Sequence, residues 1–128
     1  MIGRFWICSG AVLAALAVAA GAVGTHFLKE GLKLPESDLA TYEVAVRYHM
    51  THALGLILVG VLVGRSDAKL LMAAGAALLL GIVLFSGGLY AWLFTGFKPF
   101  VHVVPLGGLA WIVGWLLLAA GAFATERG

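Results

Sequence analysis

Four long stretches of this chain are free or nearly free of charge, and they predict membrane-crossing helices at about residues 5–28, 48–64, 70–95 and 105–124. A helix needs about 20 apolar residues to cross the ~30 Å hydrocarbon core of a bilayer, and the first, third and fourth stretches have that length. The second is short for a crossing. Residues 36–47 ahead of it repeat apolar side chains at helical spacing, with Leu39, Tyr42 and Val46 leading on to Met50. That pattern predicts an amphipathic helix lying at the headgroups and running on into the second span. Pro35 in its first turn, with Glu36 and Asp38 close behind, suits the positive end of a helix dipole. Gly31 is expected to stop the first helix and Pro105 to start the fourth, while Arg65-Ser66-Asp67 turns the chain between the second and third. The uncharged run from Phe5 to Leu28 is too long for the core of a secretory signal peptide, so a retained span is expected. The expected fold class is an all-α membrane protein, four transmembrane helices in a compact bundle forming one domain over residues 1–128. Both termini then lie on one side, with Glu126-Arg127 closing the chain in water.

Within the spans, small residues recur on one helix face: Gly10, Ala14, Ala17, Gly21 and Gly24, then Gly60 and Gly64, then Gly81 and Gly88, then Gly107 and Gly114. Lipid tails are as apolar as leucine, so helices associate in lipid by close van der Waals packing, which small residues permit. Gly10, Ala14, Gly21, Gly24, Gly60, Gly64, Gly81, Gly88, Gly107 and Gly114 are therefore expected helix-packing positions. They would serve the bundle itself, a second copy, or another membrane protein.

Composition sharpens the solvent and removes function classes. Hydrophobic residues make up 62% and charged residues 11% of the 128, and mean hydropathy is +1.07. No soluble domain of this size has enough interior to hide so much apolar surface, so lipid is the solvent for most of the chain. The net charge of +2 forms no basic patch, which excludes a nucleic-acid partner. Cys8 is the one cysteine, so the chain has neither an internal disulfide nor a cysteine metal site. Lysine and arginine divide equally between the sides, Arg4, Arg65, Lys69 and Arg127 against Lys29, Lys33, Arg47 and Lys98. Arg4 ahead of the first helix and the acid-rich first loop place the termini in the cytoplasm.

Four ordered motifs carry a resemblance: Gly21-Ala-Val-Gly24-Thr-His26-x-Leu28, Tyr48-x-x-x-His52-Ala-Leu54, Phe85-Ser-Gly-x-Leu-Tyr90 and Pro105-x-Gly-Gly108 followed by Gly114-Trp115. Together they resemble the YgdD-like small membrane proteins, domain of unknown function 423, similar to transmembrane protein 256. The resemblance implies a small multi-pass protein of a bacterial inner membrane or an organelle membrane and transfers no catalytic role. Thr25 stands where that family more often has Ala. His49 stands where Gln is common, which makes His49 the dispensable member of its pair.

Candidate chemistry gathers on the side away from the termini, where His26, His49, His52 and His102 all fall with Glu30, Glu43, Tyr48 and Tyr90. His26, His52, Tyr48, Ser86 and Tyr90 form the candidate polar cluster, with His26 the expected partner of His52 on the neighbouring helix. If any metal binds, His26 and His52 are its ligands, since imidazoles converging with a carboxylate hold zinc, copper or iron. Two histidines also suit haem ligation or proton transfer. Ser86 is expected to return its hydroxyl to a carbonyl one turn back, Tyr90 and Trp92 to belong to an aromatic belt, and Glu43 and Arg47 to pair at i,i+4. No nucleophile–base pair, phosphate loop or metalloprotease signature occurs, so neither enzymatic activity nor a cofactor is expected. The expected function is a non-enzymatic packing, assembly or accessory role in the membrane. Ligand, metal or haem binding by the histidine and tyrosine cluster is the alternative, and proton or small-solute permeation a further one.

Overall fold

The computed structural model describes residues 1–65 and 68–125. The turn expected at Arg65-Ser66-Asp67 and the terminal Glu126-Arg127 lie wholly or partly outside the described residues. The described residues form α1 (Ile2–Ala22), which continues as a π-helical segment (Val23–Gly31), then α2 (Glu36–Leu62) and α3 (Ala68–Gly81). A second π-helical segment (Ile82–Ser86) leads into α4 (Gly87–Thr95), and α5 (Pro99–Thr125) completes the bundle. Four continuous helical stretches are long and apolar enough to cross a membrane: Ile2–Gly31, Glu36–Leu62, Lys69–Thr95 and Pro99–Ala124. The chain is thus an all-α bundle of four membrane-spanning helices.

Local chemistry sets the ends of these stretches, in places differently from expectation. The first helix ends at Gly31, the residue expected to stop it, and the chain reverses two residues later, where Lys33 takes a left-handed φ of 52°. Pro35 precedes α2 rather than joining its first turn, and its carbonyl accepts the amides of Asp38 and Leu39 at 3.0 and 3.1 Å. Glu36 and Asp38 occupy the first turn, where a helix dipole favours acids. No break separates the amphipathic residues from the apolar run, so one helix carries both. Gly96 closes α4 with a φ of 69° and an amide bond to the Trp92 carbonyl of 2.7 Å, as left-handed C-caps do. Pro99 rather than Pro105 starts α5, because a proline at the first helical position gives up no helical bond. Pro105 sits inside that helix, where membrane helices tolerate proline.

The bundle is built from two antiparallel pairs, α1 on α2 and α3 with α4 on α5, and contact is densest within each pair. In the first pair the backbones touch. A Cβ on Gly10 would stand 2.6 Å from the Ala53 carbonyl oxygen, and one on Gly60 would stand 2.6 Å from that of Gly3. Ala17 is buried and Gly24 meets the Tyr42 ring. The working seam on the first helix is therefore Gly3, Gly10, Ala17 and Gly24, every seventh residue. Ala14 and Gly21, expected in that seam, sit half-buried beside it.

The second pair repeats the seven-residue step with larger partners. Gly107, Gly114 and Gly121 receive Phe85, Leu78 and Leu71, glycine holes for knobs on the opposing helix. Gly81 lies against Trp111, and Gly88 against Val104 and the Phe100 carbonyl. Gly64 departs from its expected role: a Cβ there would meet nothing within 4 Å, because α2 has already ended at Leu62. Between the pairs lies one apolar core, with Trp6, Leu56, Val59, Leu71, Leu78, Ile82, Trp111 and Leu118 among its members.

A polar seam between the helix pairs

Polar side chains sit where α2 meets the second helix pair. Ser86 closes the π-helical segment Ile82–Ser86, which adds a residue to the turn and rotates the helix beyond it; such wide turns often mark functional places. Ser86 is completely buried, and its hydroxyl donates to the Ala45 carbonyl of α2 at 2.7 Å. The expected bond to its own helix is thus replaced by one between helices. One turn on, the Tyr90 hydroxyl lies 3.1 Å from His49 Nδ1. Tyr90 is accordingly a partner across the helix interface instead of a belt residue. Tyr42 fills the end of the same interface, with its hydroxyl donating to the Ala20 carbonyl at 2.6 Å and its ring 5.5 Å from that of Tyr90.

His52 occupies an aromatic stack. Its ring lies on Trp111 at a centroid distance of 3.7 Å and an angle of 8°, and Tyr48 stacks on Trp111 at 5.6 Å. His52 Nδ1–H donates to the Tyr48 carbonyl one turn back at 2.6 Å, which fixes the neutral ring's tautomer because a carbonyl only accepts. Trp111 Nε1–H donates across the second pair to the Leu78 carbonyl at 3.1 Å. His49, expected to be dispensable, is buried, and its Nε2 has no hydrogen-bond partner among the described residues.

The expected contact between His26 and His52 does not form. His26 lies in the π-helical end of the first helix with its side chain 75% exposed, 3.7 Å from Glu30, whereas His52 is 4% exposed. The antiparallel register explains the separation: Gly10 packs on Ala53, so His52 stands level with the middle of α1, several turns from His26. His102 is also exposed. The four histidines therefore divide into two at the rim and two within the bundle. Among the described residues, no three of His, Cys, Asp and Glu gather into a set that would hold a metal ion.

Sequence alone does not mark Tyr42, Trp111 and His49 as members of this seam. Trp111 carries a usable signal, since it lies well inside its span, away from the membrane interface where tryptophan is enriched. A tryptophan there needs a buried acceptor for its N–H.

Chemically this seam joins helices. The Ser86 proton is committed to Ala45, and His52 is committed to Tyr48. Removing the Ser86 hydroxyl (Ser86→Ala) is expected to lower stability by about 1 kcal/mol, near the average for hydrogen bonds between membrane helices. Tyr90→Phe should cost more, about 2 kcal/mol, because it leaves buried His49 with no partner at either nitrogen. Reversible unfolding in mixed micelles measures both, and equal losses would contradict this ranking.

Comparison with known proteins agrees with the architecture. A family model described as "Protein of unknown function (DUF423)" matches residues 20–108. The UPF0382 membrane protein SH2409 of Staphylococcus haemolyticus is 40% identical over 120 residues, covering 94% of this chain and 96% of the relative. The UPF0382 membrane protein YwdK of Bacillus subtilis is 41% identical over 120 residues, covering 93% and 96%. No solved structure matches the chain.

Proposed function

The chain belongs to the DUF423 family and is an integral membrane protein of the bacterial cell membrane, and on that basis we propose a non-enzymatic accessory role exercised through helix association. The supporting observation is the outer face of α1. Its glycine seam is spent on α2, yet the opposite face still carries a row of small, exposed side chains: Cys8, Ala11, Ala15, Ala19 and Ala22. Only 11% of the most apolar stretch of this span is buried, against 44% of the second. Large side chains would cover a lipid-facing helix equally well, whereas small ones let another backbone approach. Exposed alanines also occur on α3 (Ala73 and Ala76) and α5 (Ala119 and Ala120), but in shorter patches than the row along α1. That makes α1 the face best suited to a second copy or another membrane helix.

A photo-crosslinking residue at Ala15, activated in intact membranes, tests this reading. The expected result is a discrete protein adduct whose yield falls by roughly tenfold when Ala11 and Ala19 are both replaced by leucine, the loss that about 1.4 kcal/mol produces. Oxidation of Cys8 then distinguishes the partners, since a disulfide through the single cysteine joins two copies of the chain. Adducts to lipid alone would overturn the reading.

A further inference from the structure

Beyond the Tyr42 end of the polar seam, a groove of about 560 Å³ opens between the π-helical end of the first helix and the start of α2. Its walls carry Lys29 and Arg47 together with Glu36 and Glu43, and the Tyr42 ring and Thr25 line it beside apolar side chains. Two cations and two acids make it neutral overall. The charges do not cancel in pairs: among the described residues the one ion pair is His26 with Glu30, so Glu43 and Arg47 fail to form the bridge expected of them. Each of the four charged groups is exposed and, among the described residues, without an ionic partner. The groove lies where the amphipathic beginning of α2 passes into its apolar part, at the level of lipid headgroups.

We propose that this groove binds the headgroup of a zwitterionic phospholipid bearing a primary ammonium, with Arg47 on the phosphate and Glu43 on the ammonium. The order along α2 fits the order along a lipid. Arg47 is the deeper charge, nearer the apolar run, where the phosphate joins the glycerol. Glu43 is one turn further out, about 6 Å at 1.5 Å per residue, where the ammonium reaches toward water. Arginine suits the phosphate because its planar fork matches two phosphate oxygens. A primary ammonium brings three N–H donors to a carboxylate; a quaternary ammonium brings none and is recognised by aromatic faces instead. An anionic headgroup such as phosphatidylglycerol has the same phosphate but ends in neutral hydroxyls, which give Glu43 no cation to pair with. Glu36 and Lys29 stand at the outer end and add no net charge to favour either ion alone.

The test is native mass spectrometry of the delipidated full chain, mixed with equal amounts of phosphatidylethanolamine, phosphatidylcholine and phosphatidylglycerol of one acyl composition. Phosphatidylethanolamine adducts should exceed the other two by about tenfold, the selectivity expected of one charge-assisted hydrogen bond gained. Glu43→Gln should bring phosphatidylethanolamine down to the level of phosphatidylcholine and leave phosphatidylglycerol no weaker. Arg47→Gln should lower all three, since all carry a phosphate. Neither side chain has an ionic partner among the described residues, so both variants should unfold at the wild-type midpoint. Equal retention of the three lipids by the wild type, or wild-type selectivity in both variants, would overturn the proposal.

Discussion

Gly60→Ala is expected to force α1 away from α2 and to lower stability by about 3 kcal/mol, the upper part of the usual range for overpacking. The added methyl would stand 2.6 Å from the Gly3 carbonyl oxygen and 2.9 Å from the Ile7 amide nitrogen. Both are backbone atoms of one helix, which no change of rotamer can move. Relief comes only by separating the helices, and separation also opens the Gly10–Ala53 contact, where the Cβ position is 2.6 Å from a carbonyl. Gly64→Ala is the matched control: it has open space around it and a φ outside the left-handed region. It should change stability by no more than about 0.5 kcal/mol, as surface substitutions usually do. Unfolding midpoints in mixed micelles measure both, and similar losses at the two positions would refute the backbone contact.

Gly81→Ala is expected to cost about 4 kcal/mol, because a single methyl there overlaps the Trp111 ring. Trp111 cannot yield cheaply. Its N–H holds the Leu78 carbonyl, its face carries His52, and Phe85 packs on its ring at 4.6 Å. Displacement combines overpacking with a broken buried hydrogen bond, and each is worth about 1–3 kcal/mol. Near-ultraviolet circular dichroism should show the loss of the ordered indole. The two positions should also be strongly coupled in a double-mutant cycle: once Trp111→Leu has emptied the space, Gly81→Ala should cost little more. Additive losses would mean that the two side chains do not contend for one space.

Several of these contacts are half legible in the sequence. Gly10, Gly24, Gly60, Gly81, Gly107 and Gly114 stand out as small residues in apolar helices, and each meets a neighbouring helix closely. Their partners are not legible. Gly60 and Gly64 look alike in sequence, yet only the first packs, because the helix ends between them. Gly3 escapes notice beside charged Arg4, outside the expected span. Ser86 and Tyr90 draw attention as polar groups, but their partners Ala45 and His49 each lie 41 residues away. The π-helical turn at Ile82–Ser86, which hydropathy does not mark, orients both.

Hydropathy along the chain was enough to settle the solvent, the fold class and the four membrane-spanning helices. A backbone in lipid must satisfy its own hydrogen bonds, so long apolar runs have little alternative to the helix. Which polar residues lie inside was settled by the packing of those helices. Packing set His26 at the rim and His52 on Trp111, and it buried His49 beside Tyr90. That choice depends on which face of each helix meets a neighbour and at what depth. Glycine-to-backbone contact fixes the depth and a widened helical turn fixes the face; both act between residues far apart in the chain.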